Sequence, residues 1–215
     1  LSRLLPNYSK EMKLLVVGGK LTKKSGWWNV AQHCLEQLIV ADALTDLLKT
    51  SKLAKQRIMQ AALCHDWDKR IEIKPKDFNE KEINKAKDIF QDVSPSRSLM
   101  FATKPNFTVH LFTTQKSTFS QRLIHFIDSS TEDADFTDYK TRLNNARHKN
   151  PLPDKDQDLT KKLKGKYWKK ELELAQSTEK EIIGKLNLSG VKLKPGEELP
   201  KLIYDYLLRK YVSEN

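Results

Sequence analysis

The stretch QAALCHDWDKR (Gln60–Arg70) runs a small-apolar helical face straight into His65–Asp66, then sets Asp68, Lys69 and Arg70 within one more turn. Ile58, Ala61, Ala62 and His65 fall on one face by the i, i+3, i+4, i+7 rule. The spacing predicts a helix over Ala54–Asp66 whose buried stripe ends on an imidazole. Such a His-Asp pair is either a solvated helix end or half of a metal site. The neighbouring segments decide between the two.

Upstream, NVAQHCLEQLIVADALTDLLK (Asn29–Lys49) carries Val30, Cys34, Leu38, Ala41, Leu44 and Leu48 at spacings of three and four. This predicts an amphipathic helix of about six turns, with His33 beside its apolar stripe. Downstream, a helix near Glu80–Asp92 carries Ile83, Ala86, Ile89 and Phe90 inward. A short helical segment with Leu99 and Phe101 ends before Pro105, because the residue before proline is pushed out of the helical region. TFSQRLIHFIDS (Thr118–Ser129) is again helical, with Phe119, Leu123, Ile124 and Ile127 inward. Asp128 follows on that apolar face, and a buried carboxylate needs a partner.

Residues 1–26 are mixed in pattern. Beyond about Asn150 the composition shifts. NPLPDKDQD reads as a linker, KKLKGKYWKK is a dense basic run with two aromatics, and the end sets Leu199, Leu202, Ile203, Tyr206 and Leu207 on one stripe. The expectation is an all-α protein. Residues 1–150 form a helical metal-binding domain with its core at about 27–135, and residues 151–215 form a basic helical extension packed on it.

The chain has 215 residues, 38% apolar and 31% charged, which suits a globular protein with one good-sized core. Its eight prolines and seven glycines fall mostly between periodic segments, which disfavours a β-sandwich. Two cysteines, Cys34 and Cys64, cannot build a disulfide framework and fit a reducing compartment. No apolar run approaches the length of a bilayer span. No signal peptide is visible, although the chain opens at Leu1 rather than Met, which leaves a removed N-terminal segment open. The cytoplasm is the expected location. Thirty-nine basic against 28 acidic residues give a net charge of +11, which favours anionic partners without choosing among them.

His33, His65, Asp66 and Asp128 each lie on or beside an apolar helical face. Imidazoles and carboxylates converging in a helical core suit a divalent cation (Mn, Fe, Co, Ni, Zn or Mg), because nitrogen and oxygen donors bind it and the carboxylates offset its charge. At these residues the sequence resembles the HD-domain superfamily of metal-dependent phosphohydrolases. NVAQH (Asn29–His33) resembles the first-helix motif, and AALCHDWDK (Ala61–Lys69) resembles the HDxxK context of small bacterial nucleotide hydrolases. Ile127–Asp128 resembles the terminal apolar-Asp segment. The resemblance covers roughly residues 27–135. It implies an all-helical fold, a metal held by His33, His65, Asp66 and Asp128, and hydrolysis of a phosphate ester or anhydride of a nucleotide. It further implies that a metal-activated water attacks phosphorus, that Asp66 also orients that water, and that Lys69 neutralises the phosphate.

Further candidates surround this set. Lys69 and Arg70 are either phosphate contacts or cations at a helix C-terminus. His110, 18 residues before Asp128, resembles a substrate- or metal-contacting histidine of the small tetraphosphate hydrolases. Those hydrolases carry another histidine between the HD pair and that position, and this chain has none between His65 and His110. Arg142 and Arg147 are placed to reach a phosphate tail. His125 and His148 read as structural or exposed, Asp68 as solvated, and Cys34 and Cys64 as small buried packing. KGKYWKK (Lys164–Lys170) suits either stacking on bases or a basic helix anchored by Tyr167 and Trp168. Two other readings remain: a nucleotide- or nucleic-acid-binding module on a silent HD scaffold, and an HD-type nuclease. Tyr204 and Tyr211, read as exposed, leave a dimer open.

Overall fold

In a computed structural model of the chain, residues 5–19, 28–73, 75–132, 135–193 and 198–212 are described. Their order is helical almost throughout. A short 3₁₀ turn leads into α1 (Ser9–Gly19), then α2 (Trp28–Leu47), α3 (Lys52–Cys64), α4 (Lys69–Ile73), α5 (Glu80–Val93), α6 (Arg97–Phe101), α7 (Asn106–Thr114) and α8 (Phe119–Ser129). A two-stranded hairpin follows, β1 (Thr131–Glu132) and β2 (Asp135–Phe136), antiparallel with Thr131 opposite Phe136. The chain finishes with α9 (Tyr139–Lys149), α10 (Leu152–Lys155), α11 (Gln157–Leu163), α12 (Tyr167–Leu188) and α13 (Leu199–Tyr211). The fold is all-α. Among the described residues no helix is long and apolar enough to cross a membrane.

Local chemistry starts and stops these helices where the pattern requires. Ser51 caps α3 by accepting from the Ala54 amide, and Lys49 takes a positive φ of 51° where α2 ends. Reciprocal capping boxes open α5 (Asn79 with Glu82) and α8 (Thr118 with Gln121). Asp138 accepts from the amides of Lys140 and Thr141 to open α9. Within the acidic stretch 129–139, therefore, Asp138 is a helix start, while Thr131 and Phe136 of the hairpin are buried.

The central layer is α2 against α3, with α8 laid across both. Leu38, Leu44, Ile58, Leu63, Ile124 and Ile127 are fully buried between them. α1 covers α3 and α5, α12 runs along α8 and α9, and α13 docks on α2. An ionic clasp holds that last contact. Lys210 donates to Asp42 Oδ2 at 2.5 Å and Asp46 Oδ2 at 2.6 Å, Tyr211 donates to Asp42 Oδ2 at 2.6 Å, and Lys55 pairs with both carboxylates. On the other side, Arg122 of α8 grips Glu181 of α12 through Nε at 3.0 Å and a terminal nitrogen at 2.7 Å.

Several expectations change. The segment NPLPDKDQD is not a linker but carries α10 and the start of α11. Asp154 within it is buried, and its Oδ1 accepts from the Trp168 amide at 3.0 Å, capping α12 in place of the Lys166 side chain. α1 and α7 lie where the sequence showed no helical period. Tyr211 is only partly exposed, its hydroxyl committed to Asp42, whereas Tyr204 is exposed at 40%.

Candidate metal centre

Three helices deliver the candidate ligands. α3 packs Ala61, Ala62, Leu63 and Cys64 into the core and ends there, leaving His65 at its C-cap. Trp67 then stacks on Phe90 of α5, with ring centroids 4.9 Å apart, which pins the turn and points His65 and Asp66 away from that side. His33 comes from α2, one helical turn before Gln37. Asp128 sits in the last turn of α8. Two helix C-termini, those of α3 and α8, thus meet here, and their partial negative charge favours a cation.

The geometry is tight. The rings of His33 and His65 lie edge to face at 5.3 Å. Asp128 Oδ1 is 3.3 Å from His33 Nε2 and 3.5 Å from His65 Nε2, and Asp66 Oδ2 is 3.7 Å from His65 Nε2. One ligand atom from each of His33, His65 and Asp66 lies within 4.8 Å of the others. Burial would raise the Asp128 carboxyl, but hydrogen bonds from His33 and Gln37, with the His65 imidazole beside it, hold it well below the usual carboxylate range. Burial would lower the His33 imidazole, yet the hydrogen bond and charge of Asp128, with Asp66 beyond, hold it above its ordinary value.

His65 carries the clearest sign of a missing partner. Its Nδ1 lies 2.8 Å from the Ala62 carbonyl and donates to it, so Nε2 presents a lone pair. That Nε2 is buried and has no hydrogen-bond partner. Buried polar atoms are rarely left so. A divalent cation satisfies such a lone pair, and the donor set of two imidazoles and two carboxylates fits one.

His33, Asp66 and Asp128 line a cleft of about 310 Å³, with the buried His65 outside its lining. Lys69, Lys104 and Arg142 bring positive charge to its wall, and Tyr167 and Trp168 of α12 bring aromatic surface. Lys104 donates to the His65 carbonyl at 3.3 Å and sits 3.8 Å from Asp66 Oδ1. Arg142 is anchored through Nε to the Thr131 carbonyl at 2.8 Å. Trp168 is fixed by its indole N–H on the Asn150 carbonyl at 2.9 Å.

The other named residues fall elsewhere. Arg147 is exposed and turns to Asp154, 3.3 Å away, outside the cleft lining. His110 packs edge to face on Phe101 and meets the Thr114 hydroxyl at 3.4 Å, also outside the lining. The Arg70 side chain lies outside the described residues. Asp68 is only partly exposed. Its Oδ1 is buried without a partner, and burial, with Glu72 and Asp66 nearby, raises it against the pull of Lys104. Cys34 and Cys64 are both buried thiols pushed up by desolvation, unlike metal-ligating thiolates. His148 is exposed, whereas His125 is buried and lines the cleft.

Sequence reasoning missed Gln37, Lys104 and Glu171. Gln37 is fully buried, lies 2.7 Å from His33 Nε2 and donates to Asp128 Oδ1 at 2.8 Å. Its position four residues after His33 on the same helical face was a readable signal. Lys104 and Glu171 had none, since only the tertiary packing brings them here. Compared with protein-family models, characterised proteins and solved structures, the chain matches none.

Proposed function

We propose that the protein is a metal-dependent phosphohydrolase acting on a phosphate ester or anhydride, with a nucleotide as substrate. The observation that carries this is the orphaned Nε2 of buried His65, facing Asp128 and Asp66, which together with His33 line a cationic cleft. His33, His65, Asp66 and Asp128 would hold the metal, with His65 fixed in the right tautomer by Ala62 and Asp128 oriented by Gln37. When bound, the ion supplies Lewis-acid activation of a phosphoryl oxygen and of water.

The chain's own residues do the remainder. Lys69 and Arg142 attract the phosphate and offset charge that grows on its oxygens. Lys104, held against Asp66, keeps that carboxylate aimed at the site. Trp168 presents an aromatic wall of the kind on which a nucleobase stacks. The buried position of Tyr167, with its hydroxyl committed inside the protein, disfavours an exposed single-strand platform over Lys164–Lys170.

The test is turnover of mononucleotides, di- and triphosphates, dinucleoside polyphosphates and a short oligonucleotide with Mn, Co, Ni or Mg. The native protein should hydrolyse at least one mononucleotide-class substrate only with metal, and Asp66→Ala should abolish it. Absence of turnover on every substrate, with metal bound, would sink the hydrolase reading in favour of a binding module. Preference for the oligonucleotide would make it a nuclease.

A further inference from the structure

We propose that the centre takes one divalent ion and excludes a second, because the ammonium of Lys104 holds the side of Asp66 that a second ion would need and serves as the built-in second cation of the site. This rests on the metal centre of the reading above and deepens it by fixing how many ions it holds.

Two ions that act together on a phosphate stand about 3.5–4 Å apart and share ligands, most simply the two oxygens of one carboxylate. Asp66 is the carboxylate placed for such sharing, since its oxygens are turned to different partners. Oδ2 is 3.7 Å from the orphaned Nε2 of His65, and Oδ1 is 3.8 Å from Lys104 Nζ. The oxygen that the first ion leaves over therefore already faces a cation. Lys104 is only partly exposed, and its position is fixed from several sides. Its ammonium donates to the His65 carbonyl at the C-terminal end of α3, at 3.3 Å. Its backbone amide donates to the Phe101 carbonyl at 3.0 Å, and its own carbonyl accepts from the Phe107 amide at 2.8 Å. A second ion on Oδ1 would meet this like charge at close range.

Further ligands for a second ion are also missing from the cleft. Among the described residues a single group of three metal-ligating side chains lies close enough to share an ion, and it is His33, His65 and Asp66. His125 and Glu171 line the cleft but face each other at 2.8 Å, and the other Glu171 oxygen accepts from the hydroxyls of Tyr167 and Thr108. The charges agree with one ion. Counting carboxylates, amines and the guanidinium, the lining sets Asp66, Asp128 and Glu171 against Lys69, Lys104 and Arg142. One divalent ion leaves this balanced cleft with a surplus that a phosphate dianion cancels, and a second ion would double it. Lys104 thus offers the phosphate oxygens the fixed positive charge that a second ion provides in two-ion sites.

The experiment titrates Mn into the metal-stripped full chain by calorimetry and reads the loaded protein by electron paramagnetic resonance. It compares the native protein with Lys104→Arg, Lys104→Gln and Lys104→Glu. The native protein and Lys104→Arg should bind about one Mn per chain, with the spectrum of an isolated ion. Lys104→Glu, which puts a ligand in place of the cation, should bind about two, with a spin-coupled spectrum. Lys104→Gln, which removes the charge alone, should admit the second ion at higher Mn concentration. A lysine that merely supports the fold would leave the count at one in all of them. If Lys104→Glu does not fold by circular dichroism, Lys104→Gln and the native count decide. Two ions in the native protein, or a count of one in every folded variant, overturns the proposal and leaves the hydrolase reading standing. A native protein that binds no Mn brings down the metal centre and the hydrolase reading with it.

Discussion

Replacing Lys210 with Met removes one cation from the clasp that fastens α13 to α2. In the native protein, Asp42 has a side chain 2% exposed and shares Lys210 and Lys55 with Asp46, four residues along the same helix. Removing one partner of a fully buried pair costs about 3–5 kcal/mol. Lys210 is 28% exposed, and Lys55 and Tyr211 remain on Asp42. The expected loss is therefore about 2–3 kcal/mol, which for a chain of this size lowers Tm by roughly 4–12 °C. The loss has a pH signature. Burial pushes Asp42 and Asp46 up, but hydrogen bonds from Lys210 and Lys55 leave both below their ordinary values. A depressed carboxylate contributes stability that is present above its unfolded pKa and is lost as pH falls through the folded one. The gap between native protein and Lys210→Met should thus be full at pH 6–7 and shrink below about pH 4. Thermal unfolding followed by circular dichroism across that range measures it. Adding Asp42→Asn to Lys210→Met removes the surplus buried charge and should recover more than half of the loss. A loss under about 0.5 kcal/mol at neutral pH, or strictly additive effects of the two substitutions, would refute the reasoning.

Ile182 is fully buried on α12, so Ile182→Ala should cost about 2–5 kcal/mol in urea unfolding; a cost under about 1 kcal/mol would mean that α12 is not seated on the core. Asp154→Ala removes the acceptor on the Trp168 amide and should lower stability by about 1 kcal/mol, with increased amide exchange at residues 167–169, a change that a surface aspartate would not produce. Cys34 and Cys64 are buried with raised thiol values. In the native protein they should resist maleimide for hours at pH 7.5 and react at once after unfolding, and rapid native labelling would contradict their packing.

The parts of the fold legible in the sequence were those whose helical period met a core. α2, α3, α5 and α8 show apolar residues every three or four positions, and each lies close to its expected range. α7 was hidden because NFTVHLFTT is rich in β-branched and aromatic residues, poor helix formers on their own; burial of Phe107 and Thr108 overrides that preference. α1 ends in Val-Val-Gly-Gly, which weakens its signal in the same way. α10 was masked by two prolines and a run of charges, although Pro153 sits near the helix start, where its missing N–H costs nothing. At the site, His33, His65, Asp66 and Asp128 were readable because polar residues interrupt apolar faces. His125 was judged by its own helix alone, and its partner Glu171 lies 46 residues away in sequence, reachable only through the packing of α12 on α8.

The central claim is that His33, His65, Asp66 and Asp128 bind a divalent cation, and calorimetric titration of Mn and Co into the metal-stripped protein tests it most directly. The expected result is saturable binding, a Tm that rises by roughly 5–11 °C at a metal concentration about a hundred times Kd, and loss of both in His65→Ala and in Asp66→Ala. Binding that survives His65→Ala unchanged, or the absence of binding by the native protein, would contradict it.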